Sequence, residues 1–287
     1  MKKALIALVV ASSVVSWGAH AWTNGDFNGT VNIGGNIAND IYSQKWAWSV
    51  GSGLDGFSHK ISDMTDAGKK LVITLTDNKA ILLGKTTEAF WAPGTGVGAV
   101  PNISFTDYKG ATVTLSESGT NGVVSFSLPI KDSSESEVGQ LRVNAVAVGY
   151  MATGASTVKN VLLNTMYADS AQNVFFGGVQ KIKTNAIQSG KAGASKVADF
   201  GGVTLAELVT QLNQVHSNIQ NSPLDGGYVA VTDWTRPSES AMFPDSVATS
   251  GYALGIESGQ QMEAVFNEAV TKATNWSAPL NIQVTYQ

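Results

Sequence analysis

The chain has 287 residues, no cysteine and a formal net charge of −4 at pH 7. A mildly acidic chain without a basic cluster lacks the electrostatic footprint of a protein that binds nucleic acid or anionic lipid, so we expect neither as a partner. Without cysteine the chain can form no disulfide or thiolate metal site, and its stability must come from packing and strand pairing.

Residues 1–21 have the features of a secretory signal peptide. Lys2 and Lys3 precede an apolar run from Ala4 to about Val15, and the small-x-small triplet AHA (19–21) follows. This run is too short to span a bilayer, and no later segment has the roughly 18 consecutive apolar residues of a membrane helix. We therefore expect export of a mature protein that begins at Trp22.

The next segment, residues 22–38, contains a strand-like stretch, FNGTVNIGGNI (27–37). Its apolar residues fall on odd positions with glycines between them, and most even positions are polar or small. This pattern predicts a strand with one buried face, although no partner strand is adjacent in sequence. The odd positions concerned are Phe27, Gly29, Val31, Ile33 and Ile37.

Alternation of period two continues through much of the chain and predicts many short strands, which is typical of a β-sandwich. Trp46 and Trp48 share one face of their segment and are predicted to be core residues. Strands are predicted at 69–76, 102–108, 111–117, 123–130, 141–148, 262–270 and 280–286, with turns at Asp77-Asn78, Lys109-Gly110 and Asn121-Gly122.

From Tyr150 to about Ser250 the pattern changes to polar and small-residue stretches with one clear helix. Thr204 and Glu207 form a capping box, and an apolar stripe of helical period follows and ends before Pro223. We interpret about 150–250 as an insertion into the sandwich, either a recognition surface or a structural subdomain without a ligand. The stripe comprises Leu205, Leu208, Val209, Leu212, Val215 and Ile219.

Catalytic and metal-binding motifs are lacking in the sequence. His59 and His216 have no second histidine at metal-ligand spacing, and no G-x-S-x-G nucleophile elbow occurs. Glu135 and Glu137 could serve as a glycosidase pair, but their context, KDSSESEVG, is typical of a charged hairpin tip. We therefore expect no cofactor, no metal and no enzyme activity.

Aromatic residues in the inserted region suggest a sugar-binding surface, because sugars stack their C–H faces on aromatic rings. Tyr228 and Trp234 lie in a polar, proline-bounded stretch and are expected to be exposed, as is Tyr167. Lys181 and Lys183 are near Tyr167 in sequence. These five residues are the candidate glycan contacts.

The last segment carries a stripe that matches the one at the start of the mature chain. Leu280, Ile282, Val284 and Tyr286 share one face of a strand, and the chain stops at Gln287 with the strand still running. We expect the sandwich to lack the strand that would follow. The resulting hydrophobic groove and unpaired edge would require another chain to fill them.

Seven stretches, in order and from end to end, resemble the FaeG-type fimbrial major subunits and adhesins of enterotoxigenic Escherichia coli, together with the related capsule-like fibrillar subunits. The region from about 150 to 250 resembles that family much less, apart from its helix. The stretches are WTNGDFNG (22–29), QKWAW (44–48), AILLGKTTEAF (80–90), SFTDYKGA (104–111), GYALGI (251–256), FNEAVT (266–271) and WSAPLNI (276–282).

The resemblance implies an incomplete immunoglobulin-like β-sandwich completed by donor-strand complementation. Residues 22–38 would then be the N-terminal donor strand, and 39–287 would form a pilin domain whose insertion carries the receptor site. A periplasmic chaperone would hold the groove, and an outer-membrane usher would replace it with the donor strand of an identical subunit. The protein would pass through the periplasm to a surface fimbrium.

The hypothesis is therefore a polymerising fimbrial subunit that also binds host glycoconjugates. One alternative is a structural fimbrial or capsule-like fibrillar subunit without lectin activity. A weaker alternative is a secreted monomeric glycosidase, which would remain soluble without residues 22–37. The fimbrial hypothesis predicts aggregation of the same truncated chain unless the strand is supplied in cis or by a chaperone.

Overall fold

A computed structural model describes residues 23–24, 27–30, 34–36, 45–91, 100–119, 121–155, 158–215, 231–239 and 247–287. In these ranges the chain forms strands, two α-helices and three short 3-10 helices. The 3-10 helices are Ile61–Asp63, Asp66–Gly68 and Lys183–Asn185. The α-helices are α1 (Gly190–Asp199) and α2 (Leu205–Val215). The strands are β1 (Thr23–Asn24), β2 (Phe27–Thr30), β3 (Gly34–Asn36), β4 (Trp46–Val50), β5 (Lys70–Thr74), β6 (Lys79–Thr86), β7 (Phe90–Trp91), β8 (Pro101–Asp107), β9 (Thr112–Val113), β10 (Ser116–Glu117), β11 (Val123–Asp132), β12 (Glu137–Ala155), β13 (Val158–Tyr167), β14 (Val231–Asp233), β15 (Ser238–Glu239), β16 (Val247–Ile256), β17 (Gln261–Phe266), β18 (Trp276–Ser277) and β19 (Leu280–Tyr286).

The larger of two sheets is organised around the long strand β12. The described part of this sheet has 14 strands, with the main order β1-β4-β6-β16-β12-β11-β10. On one edge of β12, β17 pairs with its first half and β16 with its second half. On the other edge, β11 and then β13 pair with the same two halves. The single strand β12 therefore connects the part of the sheet that contains β17 and β11 to the part that contains β16 and β13.

The smaller sheet packs over the inner face of the larger one and forms a sandwich. Its described strands have the order β3-β2-β19-β8-β9. Ile103 and Phe105 of β8 lie in one hydrophobic core with Phe126 and Leu128 of β11. Alternate residues of β8 and β19 are buried, as the period-two pattern predicts. The described fold is mainly β and consistent with the predicted β-sandwich.

A second core lies on the opposite face of the large sheet, beneath the two helices. Leu208 and Leu212 of α2 and Val197 of α1 pack there with residues of β12, including Val148. Since the central strands are covered on both faces, all ten residues of β16 are buried. Strands that are buried on both faces lack the alternation of apolar and polar residues that marks a strand buried on one face. For this reason the sequence analysis did not predict β6, β13 and β16.

Helix α2 confirms the predicted capping box. The Thr204 backbone N–H donates to Glu207 Oε2 at 2.8 Å, and the Glu207 backbone N–H donates to Thr204 Oγ1 at 3.3 Å. Leu208, Val209 and Leu212 of the predicted stripe are buried. Val215 is instead exposed, and Ile219 lies outside the described residues.

Helix α1 was not predicted, because its sequence reads as a polar, glycine-containing loop. It buries a face of small residues that includes Gly193 and Ala194. A Cβ at Gly193 would lie 2.4 Å from Thr165 Cγ2, so only glycine lets this helix approach β13 so closely. Ser189 caps the helix by accepting a hydrogen bond from the Ala192 N–H at 3.2 Å. Tertiary packing, and not helical propensity, thus determines this element.

Most predicted strands are confirmed, with some different bounds. The predicted strand 111–117 is broken into β9 and β10, and the strand predicted at 262–270 ends at Phe266. Trp46 and Trp48 are buried core residues, as predicted. Asn121 and Gly122 both have positive φ in their turn.

The inserted region contributes a strained aromatic residue to the sandwich core. Phe175 is fully buried with φ of 65°, a left-handed conformation that is unusual for a bulky residue. Its ring centroid lies 5.3 Å from that of Trp46 and 5.0 Å from that of Tyr252. The Phe175 N–H donates to Pro101 O at 2.8 Å, which fixes the turn to the start of β8. The insertion is therefore part of the sandwich core.

The glycine that follows this turn provides a test of the anchoring. Gly177 and Gly110 have the same φ of 81°, but a Cβ would meet Ile103 O at 2.2 Å in Gly177 and nothing within 4 Å in Gly110. We expect Gly110→Ala to lower the free energy of unfolding by about 1 kcal/mol, the cost of a left-handed alanine. Gly177→Ala should cost at least about 3 kcal/mol, because the clash adds to that strain. Urea unfolding of both variants measures the difference, and equal costs would contradict the anchoring role.

Candidate functional site

The groove residues predicted on the last strand lie between the two sheets. Leu280, Ile282 and Val284 are buried, each at most 2% exposed, and Tyr286 is half-buried. One edge of β19 pairs with β8 along its full length, from Leu280 opposite Asp107 to Tyr286 opposite Pro101. The inner face of β19 is therefore core, and β8 occupies only one of its two edges.

That second edge is paired with the N-terminal segment of the same chain. Strand β2 runs antiparallel to β19, with Phe27 opposite Val284 and Gly29 opposite Ile282. Strand β1 pairs with the edge of β4 in the large sheet. One segment thus lies on an edge strand of each sheet. The other predicted donor positions, Val31, Ile33 and Ile37, lie outside the described residues.

A hydrogen bond joins the two strands that receive this segment. Trp48 Nε1 of β4 donates to Tyr286 Oη of β19 at 2.7 Å. The Trp48 side chain is fully buried, so its N–H depends on a protein acceptor. The interaction fixes the distance between β4 and β19, and thereby the width of the opening between the sheets.

A cavity of about 380 Å³ lies at the Leu280 end of β19, and its walls combine apolar side chains with polar residues such as Asp55, Thr274 and Asn275. Its walls come from the inner face of the large sheet, from the loop that carries Leu54 and Phe57, and from the segment before β19. The cavity adjoins the core at the end of the strand that β2 pairs with. Apolar residues that define it include Leu54, Phe57, Leu141, Met262, Ala278 and Leu280.

The candidate glycan residues around Tyr167 are arranged differently from the prediction. Tyr167 was expected to be exposed but is only 7% exposed, because it ends the central strand β13. Lys183 Nζ lies 5.8 Å from the centroid of its ring, whereas Lys181 Nζ lies 5.7 Å from that of Phe176. Both lysines are exposed. The surface here thus presents exposed cations above the buried ring of Tyr167 and the half-buried ring of Phe176.

Glu117, which the sequence analysis did not single out, holds this lysine loop in place. Its carboxylate accepts hydrogen bonds from the Lys181 N–H at 2.8 Å and from Asn185 Nδ2 at 2.7 Å. A third bond comes from the Ile182 N–H. A glutamate in a short strand carries no sequence signal for such a role, since its partners lie 64 or more residues away in the chain.

Trp234 lies in a second surface cluster. Its backbone N–H donates to Leu163 O at 2.9 Å, and its half-buried ring lies 5.4 Å from Arg236 Cζ. Leu163 precedes Tyr167 on β13 by four residues, or about 13 Å at the rise of a strand. The described candidates therefore form two clusters along one strand. Tyr228 lies outside the described residues.

The charged residues near the β11–β12 hairpin are arranged as structural ion pairs. Glu135 pairs with Lys131 at 2.6 Å, and Glu137 accepts a hydrogen bond from the Lys109 ammonium. That hydrogen bond lowers the pKa of Glu137 and raises the pKa of Lys109. A glycosidase acid requires a raised carboxyl pKa, so Glu137 is unsuited to that role. The hairpin-tip prediction is confirmed.

Metal-binding clusters and membrane-spanning helices are both missing from the described ranges. No group of three or more metal-ligating side chains occurs there, and neither helix in those ranges is long and apolar enough to cross a membrane. His59 is exposed, as expected for a solvated loop, whereas His216 lies outside the described residues.

Comparison with known proteins identifies the family. Residues 1–287, the whole chain, match the family described as "Fimbrial, major and minor subunit". The chain belongs to this fimbrial subunit family. It is 42% identical over 292 residues to K88 fimbrial protein AC and 43% identical over 292 residues to K88 fimbrial protein AB, both of Escherichia coli, with 100% of each chain covered. It is also similar to the F41 fimbrial protein of Escherichia coli, at 27% identity over 295 residues and with 100% of each chain covered.

Membership of the fimbrial subunit family confirms the FaeG-type resemblance. Fimbrial subunits are structural proteins that polymerise into surface fimbriae, and they are not enzymes. The glycosidase alternative is thereby excluded. Among the described features, the edge of β19 that pairs with β2 adjoins a cavity at the end of the same strand.

The Trp48–Tyr286 bond can be tested with a conservative substitution. Tyr286→Phe removes only the hydroxyl that accepts from the buried indole N–H, and we expect it to lower the free energy of unfolding by about 1–3 kcal/mol. Tyr108→Phe is the matched control, because the buried Tyr108 hydroxyl has no hydrogen-bond partner among the described residues. The control should be neutral or slightly stabilising. Indistinguishable urea midpoints for the two variants would contradict the role of Tyr286.

Proposed function

We propose that the protein is a fimbrial subunit that polymerises by donor-strand exchange, with residues 22–38 of one subunit bound along β19 of the next. The observation that carries this proposal is the pairing of β2 with β19, since a strand from any copy of the chain can take the same position. The domain that receives the strand begins at about residue 39.

The observed register supports the assignment of the odd-numbered donor positions. Directly opposed residues of an antiparallel pair share a face of the sheet. Because Ile282 and Val284 are buried, the positions opposite them belong to the core side. Within one chain β3 turns back along β2, with Gly34 opposite Gly29. In the exchanged strand we propose that the register of β2 continues instead, which would put Val31 opposite Leu280 and let Ile33 reach the cavity beyond it. Burial of four large donor side chains would contribute roughly 6–12 kcal/mol before ordering costs.

The same geometry supports the proposed partners in assembly. A subunit whose β19 edge is unpaired exposes both a strand edge and a partly apolar cavity, a combination prone to aggregation. A periplasmic chaperone that supplies a temporary strand would prevent this, and an outer-membrane usher would then direct exchange for the next donor strand. Residues 1–21 would be removed as the signal peptide before this stage.

Adjacent donor positions give a direct test of the exchange register. Val31→Asp would place an unpaired carboxylate on the core side of the groove, where it should cost at least about 3 kcal/mol, or roughly 100-fold in donor affinity. Asn32→Asp introduces the same charge on the opposite face and should leave assembly nearly unchanged. The yield of fimbriae and the resistance of the polymer to dissociation provide the measurement.

Two further results would refute the exchange proposal. The first is normal assembly of the Val31→Asp variant. The second is a stable, soluble monomer after removal of residues 22–37, with no strand supplied in its place. A C-terminal graft of residues 22–38 onto this truncated chain is the control, because it should restore a folded monomer that cannot polymerise.

The fimbrial subunit is also proposed to bind host glycoconjugates through its inserted region. Exposed cations at Lys181 and Lys183 can donate to sugar hydroxyls or to acidic sugars, and the half-buried ring of Trp234 offers an apolar face. Both clusters lie along β13, on a rigid sheet. A structural subunit without lectin activity remains the alternative.

A glycan array probed with the grafted, donor-complemented monomer distinguishes the two. We expect binding that falls at least tenfold, or about 1.4 kcal/mol, for Trp234→Ala or Lys183→Ala, since each loses one sugar contact. Lys272→Ala, an exposed lysine outside the insertion, is the control and should bind normally. Absence of binding by the unsubstituted monomer would reject the adhesin role and favour the structural subunit.

A further inference from the structure

Cations held by aromatic rings occur in two places in the described structure, and only one of the two lacks carboxylate partners. Near the β11–β12 hairpin, Lys109 and Lys131 lie over the Tyr108 ring, and each also forms an ion pair with a glutamate. Three cations of the inserted region lie over rings but form no ion pair within the described residues. They are Lys183 over Tyr167, Lys181 over Phe176 and Arg236 over Trp234, at 5.8, 5.7 and 5.4 Å from the ring centroid.

This difference determines the charge that the surface of the insertion presents. A carboxylate neutralises a neighbouring cation, whereas an aromatic ring attracts the cation through its quadrupole and leaves the net charge unchanged. Lys181, Lys183 and Arg236 are all exposed. On a chain with a net charge of −4, this surface therefore presents positive charges that are held in place but not neutralised.

The loop that carries both lysines is held through its backbone. Glu117 accepts hydrogen bonds from the N–H groups of Lys181 and Ile182 at 2.8 and 3.3 Å, so its carboxylate binds the loop and not an ammonium group. The buried Gln180 side chain donates to two backbone carbonyls at 2.9 and 3.1 Å. Ile182, between the lysines, is 56% exposed. The loop is thus a fixed tip that presents two cations and one apolar side chain.

A short segment connects this loop to the second cluster, at Trp234. Helix α1 begins at Gly190, and the Gly190 N–H donates to Trp234 O at 3.1 Å. The next N–H, of Lys191, donates to Asp233 Oδ1 at 3.0 Å. Because these N–H groups are bonded within the protein, the exposed side-chain cations, and not the end of the helix, are available to a ligand.

We propose that this surface selects acidic oligosaccharides, with a carboxylate or sulfate group bound at the loop of Lys181 and Lys183 and a neutral sugar ring on Trp234. The inference rests on the proposed glycan binding and names the class of sugar that the site prefers. Ammonium groups donate charge-assisted hydrogen bonds to the oxygens of such anions. The two clusters lie about 13 Å apart along β13, so a ligand that reaches both is an oligosaccharide. A polyanion such as nucleic acid would require a denser array of cations.

Binding of purified fimbriae to an array of matched glycans tests this preference. Each neutral glycan, such as N-acetyllactosamine, is printed beside its sialylated and its sulfated form. We expect the acidic forms to bind at least about tenfold more tightly than the neutral parent at about 50 mM NaCl, and less so at about 300 mM, because salt screens exposed charges. A preference for one acidic form alone would identify the anion, carboxylate or sulfate, that the loop recognises.

The double variant Lys181→Gln/Lys183→Gln removes both charges from exposed side chains and should abolish the preference, so that acidic and neutral forms bind equally. Lys60→Gln/Lys272→Gln is the matched control, because both are exposed lysines outside the insertion that form no ion pair within the described residues. The control should keep the preference.

Two outcomes would overturn the proposed sugar class and leave glycan binding itself in place. One is equal binding of acidic and neutral forms by the unsubstituted fimbriae. The other is a preference for acidic forms that survives in the Lys181→Gln/Lys183→Gln variant. Absence of binding to every glycan on the array is a different result, because it would reject the proposed adhesin function and this inference with it.

Discussion

The second edge of β19 is the constraint on which the rest of the molecule depends. This strand has its inner face in the sandwich core and one edge on β8, so its remaining edge must be paired if the core is to be closed. In the described structure β2 provides that pairing. The Trp48–Tyr286 bond holds the two sheets at the spacing that admits a strand. In the proposed assembly, the strand that meets this requirement would come from another copy of the chain, so a requirement of folding would also join the subunits.

The inserted region and the sandwich are parts of one folded unit, because the insertion contributes to both hydrophobic cores. Its helices cover the outer face of the large sheet, while Phe175 packs against Trp46 and Tyr252 on the inner face. The Phe175 N–H bonds to Pro101 O, and Gly177 lets the same turn approach the β8 backbone, where a Cβ would meet Ile103 O. The proposed recognition surface on this insertion would therefore be presented on the same core that pairs with β2.

The sequence predicted those features whose cause is local. Period-two alternation located the one-sided strands β5, β8, β11 and β19, and a capping box located α2. It could not reveal β16, because burial on both faces removes the alternation, or α1, because its glycine-rich helix is stabilised by close packing on β13. At the candidate sites it identified the stripe on β19 but misjudged the exposure of Tyr167. Whether an aromatic ring at the end of a strand is covered depends on residues far away in the chain, such as Lys183.

Pairing of β2 with β19 in one chain has a consequence for the proposed assembly. An intramolecular strand competes with an incoming one at an effective concentration in the millimolar range for a short connection, which no free subunit reaches. Gly34 and Gly35 weaken that competition, because fixing glycines in strand β3 costs more conformational entropy than fixing other residues. Exchange into a polymer would then require that the β2 segment of a subunit be kept off its own β19 edge until the donor strand of the next subunit arrives. This requirement would be the physical reason for the proposed chaperone on the assembly route.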